Sequence, residues 1–168
     1  MFINLSKFLL PGYYVIFFVI PLDSFISKNT LGIIKIYSLT KEMSWQDLVN
    51  NNLIGTGHVS KAAICGLDGS IWGKSDNFKI DQSEANAAAN GLKNSEGVLA
   101  SGLRFEGEKY FVLQADSERI IGKKTANGFF IYKTDKAFII GVYESGVQPE
   151  MCSKTTGALA DYFRSINY

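Results

Sequence analysis

Gly128-Phe129-Phe130-Ile131-Tyr132-Lys133-Thr134-Asp135-Lys136-Ala137-Phe138-Ile139-Ile140-Gly141-Val142-Tyr143 joins two apolar runs, rich in aromatic and β-branched residues, through the polar turn Thr134-Asp135-Lys136. That order is strand, turn, strand, an antiparallel hairpin. Just upstream, Arg119-Ile120-Ile121-Gly122-Lys123 reads as a short strand. Before it, Gly102-Leu103-Arg104-Phe105 and Lys109-Tyr110-Phe111-Val112-Leu113-Gln114 flank the turn Glu106-Gly107-Glu108. Further back, Lys61-Ala62-Ala63-Ile64-Cys65-Gly66 and Ser70-Ile71-Trp72-Gly73-Lys74 are joined through Asp68-Gly69, a strong hairpin signal.

Helices are expected in three places. Ser44, with Asp47 three residues on, caps a helix over 44–53 that Gly55 and Gly57 stop. An alanine-rich helix over 82–92 opens near Asp81 and Ser83 and closes near Gly91. A last helix over 151–165 follows a loop over 144–150, and its Leu159, Tyr162, Phe163 and Ile166 fall close to one helical face. Strands grouped in hairpins, not alternating with helices, predict an α+β domain. Its centre is an antiparallel sheet of about six to seven strands flanked by helices, with the two terminal helices packed side by side.

The length of 168 residues suits one domain, but the composition is uneven. Residues 1–42 are far more apolar than residues 43–168. They hold Lys7, Lys28, Lys35 and Lys41 against Asp23 and Glu42, so subtracting this +2 from the chain's +1 leaves −1 for the remainder. A domain so near neutrality has no bulk attraction for nucleic acid. The uncharged stretch from Phe8 to Leu22 is shorter than the roughly 20 residues a membrane helix needs, and Pro11, Gly12 and Pro21 interrupt it. Three readings of residues 1–42 stay open: an extension absent from the mature protein, with Met43 as the true start; a signal or anchor; or part of the fold.

The chemistry-bearing residues are sparse. Cys65 and Cys152 fit neither a disulfide framework nor a zinc motif, and read as reduced, buried thiols of a reducing compartment. His58 is the one histidine, set in a turn, so no serine or cysteine has a second histidine to activate it. The acids Asp68, Asp76, Glu106, Glu108 and Asp135 are scattered among turns. Gly55-Thr56-Gly57 follows a helix and not a strand, which is the wrong context for a phosphate cradle. No catalytic, metal-binding or cofactor site is expected, and the domain reads as a binding module, not an enzyme.

Several motifs point further. Met43-Ser44-Trp45-Gln46, Asn51-Asn52-Leu53-Ile54-Gly55-Thr56-Gly57, Asp68-Gly69-Ser70-Ile71-Trp72, Gly107-Glu108-Lys109-Tyr110, Ile121-Gly122-Lys123-Lys124, Lys133-Thr134-Asp135-Lys136 and Leu159-Ala160-Asp161-Tyr162 occur in order, and the chain ends in Tyr168. Residues 43–168 resemble profilin over their whole length, most nearly the short forms of fungi, plants and amoebae. The resemblance implies a cytoplasmic, cytoskeletal protein that binds monomeric actin and regulates its polymerisation. It also implies binding of proline-rich proteins such as actin assembly factors, and of phosphoinositide headgroups.

Residue by residue, the resemblance implies a polyproline face of Trp45, Leu48, Trp72, Tyr162, Phe163 and Tyr168. Flat rings fit the ridges of a polyproline II helix, and Trp N–H or Tyr O–H groups can donate to its unpaired carbonyls. Leu48 stands where tyrosine is usual, which implies a weaker grip. The implied actin face is Lys109, Gln114, Lys123, Val147, Gln148 and Lys154. Lys154 keeps the family's charge, whereas Gln114 replaces a common arginine and leaves open a peptide-binding module with weak actin affinity. Arg104, Arg119, Lys123 and Lys124 form the implied phosphoinositide patch, with weak binding expected. A membrane-tethered variant through residues 1–42 is the remaining alternative.

Overall fold

The computed structural model describes residues 44–168. The apolar stretch from Phe8 to Leu22, and every reading attached to residues 1–42, lies outside the described residues.

The hairpin signals all become strands. The first pair is β1 (Lys61–Gly66) with β2 (Ile71–Lys74). The second is β3 (Leu103–Phe105) with β4 (Glu108–Ala115), and a meander of β5 (Arg119–Lys124), β6 (Asn127–Lys133) and β7 (Ala137–Tyr143) follows. They form one seven-stranded sheet in the order β2-β1-β7-β6-β5-β4-β3. Each neighbouring pair is antiparallel. The α+β expectation therefore holds, with seven strands.

β7 is buried along its entire length because helices cover both faces of the sheet around it. Phe138, Ile140 and Val142 join one apolar cluster with Phe78, Phe105 and Phe129. Helices α2 (Gln82–Lys93) and α3 (Ser95–Ser101) close that cluster with Ala85, Ala88, Leu92 and Val98. On the opposite face Ile139 and Tyr143 join Val49, Leu53, Leu159 and Phe163. The first and last helical segments of the described residues supply those last four, so these two segments share one cluster. Burying each such side chain fully contributes about 1.5–3 kcal/mol.

Two helical expectations need correction. The 44–53 helix is regular only over α1 (Trp45–Leu48); it widens to a π turn over Val49–Leu53 and tightens to a 3₁₀ turn over Ile54–Thr56. The Ser44–Asp47 capping box forms as expected. Three successive asparagines then favour the helix weakly, and the altered turn leaves Val49 and Leu53 both fully buried. Helix α3 was not expected. Asn94 caps it by accepting from the Gly97 N–H at 3.0 Å, and Gly102 ends it at φ +73°. The last helix, α4 (Pro149–Ser165), starts two residues early, with proline in its first turn, where its missing N–H does no harm.

A polar knot ties the β3–β4 turn to α2 and to β1. Glu84 is 7% exposed, and its carboxylate accepts the backbone N–H of Glu106 at 2.9 Å and of Gly107 at 2.8 Å. Glu106 sits at φ +55°, a conformation non-glycine residues rarely adopt. Its own carboxylate accepts from Lys61 Nζ at 2.6 Å and from the Lys79 N–H at 2.7 Å. Lys61 also reaches Glu144 at 3.0 Å. Burial opposes the charge on both partners, but the mutual hydrogen bonds outweigh it. Glu106 is held below the usual carboxylate range and Lys61 is raised above the usual amine range.

Candidate binding faces

The aromatic residues expected to hold a peptide come together from three elements. α1 lies directly on β2, because Gly73 leaves its place open: a Cβ there would sit 2.8 Å from the Trp45 carbonyl carbon. This contact sets Trp45 beside Trp72, with ring centres 4.9 Å apart and planes inclined by 39°. At the other end, Asn167 takes a left-handed conformation and turns the chain back after α4. The Tyr168 N–H then bonds to the Phe163 carbonyl at 2.9 Å, and the Lys136 N–H bonds to the Tyr168 carbonyl at 3.2 Å. Lys136 Nζ lies 4.9 Å from the centre of the Tyr168 ring, a cation–π contact. So placed, Tyr168 is 5.2 Å from Trp45 and 5.9 Å from Trp72.

Phe163 is only 2% exposed and lies 6.0 Å from both Trp45 and Tyr168, so it is the floor of this cluster. Leu48 is half-buried against the same cluster. Tyr162, 37% exposed, stands next to Phe163 at its edge. The hydrogen-bonding roles are unequal. The Trp72 indole N–H already donates to Ser70 Oγ at 3.0 Å. Among the described residues, neither the Trp45 indole N–H nor the Tyr168 hydroxyl has a hydrogen-bond partner.

The second face is the part of the sheet that α4 leaves uncovered. Tyr110 and Val112 of β4 point into the core, whereas Phe111 is 68% and Leu113 63% exposed. A bulge between β4 and β5 sets two residues against one, so Gln114 opposite Ile121 is exposed as well. The register aligns Phe111 with Lys123, Lys123 with Gly128, and Gly128 with Tyr143. That row ends where β7 leads into the loop holding Val147 and Gln148. Lys109, on the Phe111 side of β4, pairs with Arg104 of β3. Lys109, Lys123, Val147 and Gln148 thus gather at one end of the sheet, with Lys154 exposed on α4. Gln114 lies toward the other end of β4, where its amide oxygen, in the orientation that satisfies both ends of the amide, accepts from Arg119 Nη2 at 2.7 Å. Phe111 and Leu113 were missed, because an apolar strand sequence does not reveal which of its faces a helix will cover.

The expected basic patch does not form as one group. Arg104, Lys109 and Lys123 share a face around Phe111. Lys124 falls on the opposite side and pairs with Glu108. Arg119 starts β5, roughly 13 Å along the strand from Lys123, and is held by Gln114 and by Asp116 at 3.4 Å. Both cysteines are buried and free, each thiol pushed up to about 12, chiefly by burial. His58 is half-buried, with Nδ1 3.4 Å from Thr155 Oγ1.

A curved antiparallel sheet with both terminal helices on one face and an aromatic cluster between them has close counterparts. The profilin family model matches residues 43–168. Profilin-3 of Caenorhabditis elegans is 64% identical over 126 residues, which is 75% of this chain and 100% of the relative. Profilin-A of Physarum polycephalum is 41% identical over the same length, again 75% of this chain and all of the relative. Among solved structures, Acanthamoeba castellanii profilin II superposes with a TM-score of 0.72 at 37% identity, covering 74% of this chain and 100% of its own. The chain belongs to the profilin family, a non-enzymatic family of actin-binding, cytoskeletal proteins.

Proposed function

We propose that residues 43–168 act in the cytoplasm as an actin-monomer-binding adaptor that regulates polymerisation and holds proline-rich proteins on a separate face. The observation that carries this reading is the separation of two unlike surfaces on one sheet. The Trp45–Trp72–Tyr168 cluster offers flat rings and two unengaged donors, which suits a polyproline II helix with its free carbonyls. The uncovered strip offers Phe111 and Leu113 ringed by Arg104, Lys109 and Lys123, an apolar centre with a basic rim. Val147, Gln148 and Lys154 extend that strip onto the start of α4. Such a rim steers an acidic partner and weakens with salt. The same three cations are the group that would attract phosphoinositide headgroups, each contributing about 1 kcal/mol, hence weakly and in competition with actin.

Lys123→Glu tests both uses of the strip. The variant is expected to lose actin sequestration in a polymerisation assay and to lose binding to phosphoinositide vesicles, while its polyproline affinity stays unchanged. Inhibition of polymerisation equal to wild type would sink the actin assignment. A wild-type protein that binds the peptide but not actin would instead favour a peptide module with weak actin affinity. Gln114 motivates that second reading, since its amide is occupied by Arg119. Among the described residues no helix is long and apolar enough to cross a membrane.

A further inference from the structure

The β1–β2 turn holds a chain of hydrogen bonds that ends on the peptide face. Asp68 Oδ1 accepts from the Ser70 N–H at 3.0 Å and from the Ser70 hydroxyl at 2.6 Å. With its one proton committed, the Ser70 oxygen offers a lone pair, and the Trp72 indole N–H donates to it at 3.0 Å. The bond from the Ser70 hydroxyl to the Asp68 carboxylate is charge-assisted and short, which fixes the hydroxyl's orientation. The two Ser70 bonds also hold the Asp68 carboxyl below the usual carboxylate range. Gly66 gives the chain its room: a Cβ there would lie 2.5 Å from Asp68 Oδ1, 2.7 Å from Ser70 Oγ and 3.0 Å from Trp72 Cζ2.

A half-buried tryptophan has a broad preference about the bond to its ring, so packing against Trp45 alone leaves the ring plane loosely set. We propose that Ser70, braced by Asp68, is a positioning residue that sets the plane of the Trp72 indole before a proline-rich peptide arrives. This rests on the peptide reading above. The relay turns Trp72 into a ring surface and not a donor. It also presets the 39° inclination to Trp45, sparing the peptide the ordering of that ring.

Ser70→Ala, Ser70→Thr and Trp72→Phe are titrated with a proline decamer, and the Trp45–Trp72 exciton band is recorded by circular dichroism on the free proteins. Ser70→Ala is expected to bind about fivefold more weakly, the equivalent of one lost hydrogen bond, and to show a reduced band. Ser70→Thr keeps a hydroxyl and is expected to restore both. In the Trp72→Phe background, which has no indole N–H, Ser70→Ala is expected to cause no further loss. An unchanged band and affinity in Ser70→Ala overturns the proposal, as does an equal loss in both backgrounds. Should Ser70→Ala fail to fold, Ser70→Cys, with its weak acceptor, takes its place. A wild-type protein that ignores the decamer defeats the peptide reading, and the exciton comparison still decides the relay.

Discussion

On the proposed peptide reading, Leu48 is the residue at which affinity is most open to improvement. It lies half-buried against the aromatic cluster and contributes contact without a donor. Leu48→Tyr adds a hydroxyl at the cluster's edge, worth about 1 kcal/mol if it reaches a prolyl carbonyl, and so about a fivefold gain. Titration of a proline-rich peptide against both proteins measures this, and equal affinities would count against a peptide passing over Leu48. At this scale the sequence was partly legible. Trp45, Trp72 and Tyr168 are singled out by the resemblance to profilin and not by residue type alone, and the structure brings their rings together. That Phe163 would lie beneath them could not be seen, because burial depends on the angle at which α4 lands. Nor could the pairing of Lys124 with Glu108, or of Arg119 with Gln114, since both pairs cross between strands whose register only the fold defines.

At the level of elements, the contact of α1 with β2 governs the aromatic face. Gly73→Ala places a methyl group 2.9 Å from the Trp45 carbonyl oxygen, where backbone on both sides resists movement. The expected result is destabilisation by about 1–3 kcal/mol, seen in urea unfolding, together with loss of the Trp45–Trp72 contact in near-ultraviolet circular dichroism. A variant as stable as wild type would show that α1 can lift from the strand without consequence. Strands were the most legible elements, because alternation and turn residues are local signals. Helix α3 escaped because it is short and carries Gly97 within it, although Asn94 before and Gly102 after are its proper boundary signals. The π turn escaped for another reason: it answers to the packing of Val49 and Leu53, which no local preference encodes. The outer side of β4 shows the same limit, since α4 covers β6 and β7 and leaves Phe111 bare.

For the whole molecule, the knot of Glu84, Glu106, Lys61 and Glu144 links the helical layer, the β3–β4 turn and the central strands. Its pH dependence has two sides. The depressed Glu106 stabilises the fold above the ordinary carboxylate value of 4.5, and this is lost as pH falls through its lower folded value. The raised Lys61 stabilises below the ordinary 10.5, and this is lost as pH rises through its higher folded value. Lys61→Ala is expected to lower stability at neutral pH by about 1–2 kcal/mol and to flatten the acid limb of a stability profile. An acid limb identical to wild type would show that Glu106 is not among the groups that set it.

The pairing of β1 with β7 also has a consequence in time. β1 is the second strand from one edge of the sheet, yet its inner partner is the last strand to be made. A ribosome adding about 5–20 residues per second needs on the order of 4–15 s to travel from one to the other. During that interval the apolar hairpin of β1 and β2 is outside without its neighbour, a bare template for unwanted pairing. The nascent chain's exposure to chaperones, and its yield on overproduction, should therefore be governed by how quickly the stretch from β2 through β7 arrives and not by how well the first strands fold.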